Sequence, residues 1–95
     1  MKVGDVLKMV DEAIANLEIA VIANQNRVFE SPQTSYEFAQ RAVELQEDLD
    51  DLKRLREELS KLDPGDEMEN HYPREDVEKL VRMLDLLRRT NAHFY

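Results

Sequence analysis

The sequence predicts an all-α protein, and three observations carry that prediction. First, Val3, Leu7, Val10, Ile14, Leu17 and Val21 step by four and three residues, and Val28 resumes the phase beyond Asn24. Such spacing places an apolar edge along one side of a helix, in the manner of a coiled-coil seam. Second, two later segments repeat the pattern. Third, the chain of 95 residues holds only two Gly and three Pro, too few for the many tight turns of an all-β fold. One small helical domain over residues 1–95 follows from that length.

The first helix is expected over residues 5–29. The Asp5 carboxylate is placed to accept amide protons of the first turn, and Pro32 turns Ser31 away from helical torsions. A second apolar line, Ala15, Ile19, Ile22 and Phe29, makes the stretch 19–23 apolar all round. A segment of that kind calls for burial on several sides.

The second helix is expected over 35–62. Thr34 stands three residues before Glu37, a capping-box spacing. Its seam runs Phe38, Ala42, Leu45, Leu49, Leu52, Leu55, Leu59 and Leu62, with a repeated step of three at Leu52–Leu55 that resembles a stammer. Asp63-Pro64-Gly65 ends it. Residues 63–72 read as a disordered acidic loop. The third helix is expected over 74–91: Pro73 suits its start, Glu75 and Asp76 complement its positive end, and Arg88 and Arg89 its negative end. Val77, Leu80, Leu84 and Leu87 form its seam.

Short connections favour antiparallel neighbours. The expected architecture is an up-down-up three-helix bundle, or a long hairpin with a third helix against it. Apolar residues beyond a single seam point to self-association, with Ile19, Ile22, Met83 and Leu86 as interface residues.

The formal net charge is −8, which argues against direct nucleic-acid binding, since phosphates are held by clustered Lys and Arg. Cysteine is absent, which removes disulfides, thiolate metal sites and cysteine catalysis. No apolar run approaches the roughly 18 residues of a membrane span, so a cytoplasmic protein without membrane contact is expected. No cofactor is implied. Glu67, Glu69 and His71 alternate along the acidic loop, but no further ligands converge there for a metal. Ser31, Ser35 and Ser60 have no base beside them, and Arg27 is the only basic residue of the first helix after Lys8. The expectation is that the chain is not an enzyme.

An antiparallel bundle would sort the charges. Residues 1–12 and 57–79 hold twelve carboxylates against five Lys or Arg and would share one pole. The other pole would gather the end of helix one, the start of helix two and the end of helix three. There Asn24, Asn26, Arg27, Tyr36, Arg41, Arg88, Arg89, Asn91, His93 and Tyr95 would combine amides, guanidiniums and rings, which suit an anionic ligand such as a nucleotide. The leading expectation is a non-enzymatic helical binding protein, an adaptor, chaperone or antagonist of another protein, acting as a homo-oligomer. The alternatives are a binder of small anions at the Arg/Asn-rich pole, and an acidic decoy for a nucleic-acid-binding protein.

Overall fold

Helix α1, Val3–Arg27, is the spine on which the other elements pack. A computed structural model of the chain describes residues 1–28, 33 and 35–90, with the side chains of Arg89 and Thr90 outside the description. Helix α2 spans Ser35–Ser60, a single 3-10 turn covers Met68–Asn70, and helix α3 spans Arg74–Thr90. α2 folds back along α1, and α3 lies against α1 and the 3-10 turn. The arrangement is the expected all-α, three-helix one. Its extents of 50 × 21 × 17 Å make it a rod.

The core of α1 is wider than its seam. Val3, Val10, Leu17 and Val21 are buried as the 4/3 spacing requires, and Leu7 and Ile14 pack against the core edge. The second buried line is Val6, Ala13 and Ala20, on the opposite flank of the seam from the line Ala15, Ile19, Ile22. That corrects the expectation of a stretch 19–23 buried on several sides: Ile19 and Ile22 are 51% and 57% exposed. Of the two possible second lines, the buried one carries the smaller side chains, valine and alanine in place of isoleucine. From the other helices Leu49, Leu52, Leu59, Val77 and Leu84 complete the core.

The boundaries differ in ways that have physical causes. α1 starts at Val3 rather than Asp5, because its first amides need no side-chain cap. Val3 N–H donates to the Asp66 carbonyl at 2.9 Å and Gly4 N–H to the Pro64 carbonyl at 3.0 Å, so backbone from the loop satisfies the orphan donors. Gly4 eases that approach: a Cβ there would stand 3.3 Å from the Pro64 oxygen, so the loop would have to give by a few tenths of an ångström. α2 ends at Ser60, whose Oγ donates to the Glu57 carbonyl. The carbonyl of Pro73 accepts from Asp76 and Val77 N–H, opening α3 as expected. The proposed stops and caps at Phe29, Ser31, Pro32 and Thr34 lie outside the described residues.

The acidic loop is not disordered. Met68 is 1% exposed and belongs to the core, its N–H bonds the Met1 carbonyl at 2.8 Å, and Lys2 and Glu67 form an isolated antiparallel bridge. The Met1 ammonium reaches Glu67 Oε2 at 2.9 Å and Glu69 Oε2 at 3.0 Å. Residues 63–70 thus strap the start of α1 to the start of α3.

Candidate protein-binding groove

α3 is too short to make the expected pole. Its 17 residues cover about 26 Å at roughly 1.5 Å per residue. It starts beside residues 1–3 and runs parallel to α1, so its end lies midway along the spine. There Arg88 Nε donates to Glu12 Oε2 at 2.7 Å, and Asp85 and Arg88 share a polar hollow with Glu12, Ala15 and Asn16. From Glu12 to Arg27 is a further 22 Å or so of helix. The expected meeting of Arg88 with Arg27 is therefore not made, which corrects the anion-pocket geometry.

The remaining pole residues divide. Arg27 and Arg41 both lie over the Phe38 ring, at 5.7 and 5.8 Å from its centroid, within cation–π reach. Asn24 is not at a pocket wall: it is 2% exposed, and its Nδ2 donates to the Ala20 carbonyl one turn earlier at 2.8 Å. Asn26 is exposed. Tyr36 is 77% exposed and lies two residues from Phe38, hence about 200° round α2 from that ring. The side chain of Arg89 and all of Asn91, His93 and Tyr95 fall outside the described residues. Arg41 itself stands among Glu37, Gln40 and Glu44, so the local field is not strongly positive.

On the side of the hairpin away from α3 the two helices leave an open groove of about 430 Å³. Gln25 and Val28 of α1 and Ala39, Ala42, Val43, Gln46 and Glu47 of α2 line it. Two alanines form its floor, shallow enough for a helix to approach closely. Val43 is 59% exposed. Ile22 sits one helical turn before Gln25 and extends the α1 wall, as Tyr36 extends the α2 wall from seven residues before Val43. Contiguous aliphatic exposure of this kind marks interaction surfaces more than isolated apolar residues do.

The same side is closed further down the hairpin by charge. Arg56 pairs with Asp11 across the helices, and Lys53 Nζ stands 3.6 Å from Glu18 Oε1. The groove is the stretch where those crossing ion pairs stop. Of the four expected interface residues, Ile22 flanks it, and Ile19 lies on the same outer face of α1. Met83 and Leu86 are exposed at 44% and 62%, but on α3. The sequence reading missed Val43 and Ala39 and took Ala42 only as a seam residue; the signal was present as Tyr36, Ala39 and Val43 at i, i+3 and i+7, a second apolar line flanking the seam.

Elsewhere the N-terminal amine and the loop carboxylates pair with one another. The Met1 amine is raised above its usual pKa, first by the hydrogen bond to Glu67 and then by Glu69. The Glu69 carboxyl is lowered, chiefly by the same amine. His71 Nε2 lies 3.0 Å from Asp66 Oδ2. Among the described residues no three His, Cys, Asp or Glu side chains converge on a possible metal position, and no described helix is long and apolar enough to cross a membrane. Compared with protein-family models, with curated proteins and with solved structures, the chain matches none.

Proposed function

We propose that the chain is a non-enzymatic binding protein that takes up a helix of another protein in the α1–α2 groove. The observation that carries this reading is an aliphatic groove with Val43 more than half exposed on its wall and Ile22, one turn before Gln25, more than half exposed beside it. A two-helix groove offered to a third helix is a recurrent mode of recognition, read by anchors at i, i+3 or i+4, and i+7. A second copy of the chain competes for the same face, as the expected self-association would have it.

The anion-binding alternative retains only Arg27 and Arg41, both against Phe38. The decoy alternative loses regularity along α2, where Gln46 Nε2 donates to Asp50 and Arg54 pairs with Asp51. Neither gains an observation in its favour.

Hydrogen exchange on the protein with a partner recovered by co-purification tests the reading. Amides of residues 22–28 and 39–47 should slow on binding, while those of 68–80 should not change. Protection confined to α3 or to the loop would remove the groove from the function.

A further inference from the structure

Resting on the protein-binding reading, we infer that the occupant of the groove is an amphipathic helix whose apolar stripe is flanked by lysine or arginine. The groove supplies the apolar half of the argument. Charge around it supplies the other half.

Segments 18–28 and 35–51, which make this half of the hairpin, hold seven carboxylates against two guanidiniums. Both guanidiniums are drawn to the Phe38 ring, at 5.7 and 5.8 Å from its centroid. Arg27 stands about 100° round α1 from Val28 and Arg41 about 100° round α2 from Ala42, and neither lines the groove. On the groove side stand Glu47, which lines it, and Asp50, seven residues after Val43, which accepts from the neutral Gln46 amide. Glu18 marks the lower end, already paired with Lys53. Among the described residues that line the groove the only charge is therefore negative, and Lys53 at its lower end is engaged by Glu18.

Complementary rims set partner choice and register more than raw affinity, and like charges across an interface are penalised. An acid-flanked helix would bring carboxylates against Glu47 and Asp50. A second copy placed groove to groove fares little better: it brings its own Glu47 and Asp50 against the same carboxylates, while its Lys53 is held by its own Glu18. A basic flank fits without rearrangement, its apolar side chains lying over Ala39 and Ala42 and its cations reaching Glu47 and Asp50.

The test uses the whole chain and two synthetic peptides of one length and one leucine stripe, flanked by lysine in one and by glutamate in the other. Fluorescence anisotropy should give binding at least tenfold tighter for the lysine peptide, weakening as salt rises. Val43→Asp separates docking from simple attraction to an acidic protein. The added carboxylate would tighten mere attraction, whereas loss of the apolar wall should weaken docking at least tenfold. Glu47→Gln should weaken the lysine peptide about threefold and leave the glutamate peptide unchanged.

Equal binding of both peptides at the groove would overturn the basic flank and leave the protein-binding reading standing. Lysine-peptide binding that is unchanged or tighter in Val43→Asp would overturn docking of this helix in the groove. So would sedimentation showing a dimer that Val43→Asp dissolves, since a second copy would then be the occupant. If neither peptide binds, the inference fails, and the exchange experiment above decides separately whether the groove binds any protein.

Discussion

The two ends of the α1–α2 hairpin are built on different terms. At the end holding residues 1–12 and 52–60, α3, the 3-10 turn and the loop close one side, while Asp11–Arg56 and Glu18–Lys53 cross the other. At the opposite end the side away from α3 lies open between Val28 and Val43. The difference teaches that one amphipathic hairpin can bury its apolar residues against its own elements at one end and leave them exposed at the other, where the proposed partner would bind. What assigns the roles is the reach of α3, set by its length, and the position of a few crossing ion pairs.

The largest expected effect would break the closed end. Met68→Ala removes a side chain buried among α1, α2 and α3 and should cost about 2–4 kcal/mol, as for other methionine truncations in cores. Urea denaturation reads it, and a loss below 1 kcal/mol or so would mean the strap contributes little to the core.

Among the described residues the open end contains one buried polar side chain, Asn24, which donates to the Ala20 carbonyl of its own helix. Asn24→Leu should stabilise by roughly 1 kcal/mol, because a buried amide gives way to an apolar group of similar size. A fall in thermal midpoint would show instead that the amide is needed where it stands.

A smaller effect concerns the amine clamp. The Met1 amine is raised in the folded chain, so its contribution is fully present below its unfolded value and is lost as pH rises through the higher folded one. Glu69 is lowered, so its contribution is present above its unfolded value and is lost as pH falls through the lower folded one. Acetylating the α-amine of this chain should lower the thermal midpoint near neutral pH and flatten the alkaline limb of the profile. Identical profiles for both forms would show that the exposed pair is fully screened.

The least effect on folding is expected where the effect on binding is greatest. Val43→Asp, at a residue 59% exposed, should change stability by no more than about 0.5 kcal/mol. A larger loss would mean that the groove is already part of the fold, which would blur the contrast between the ends.

Much of the fold was legible because its signals are periodic. The 4/3 steps of α1 and the leucines of α2 identify helices whatever surrounds them, and Pro73 with two acids behind it marks the start of α3. The order of residues 63–70 was not legible, since it arises from backbone pairing with Met1 to Gly4, and a carbonyl that will meet a distant amide leaves no mark in composition. The pole of arginines failed for a related reason. Periodicity tells which face Arg88 occupies but not how far along α1 that face extends. Ile22 could be picked out from an all-round apolar stretch, whereas Val43 was hidden among the charges of α2 and became visible once α1 lay beside it.

The bridge between Lys2 and Glu67 carries a consequence for motion. It joins chain positions 65 apart in number, and the same few bonds hold the first turn of one helix and the approach to another. Local openings in proteins occur in cooperative blocks, and this latch makes such a block of residues remote in sequence. Releasing it frees the amides of Val3, Gly4 and Met68 together, so their exchange with deuterium should share one rate and one response to denaturant.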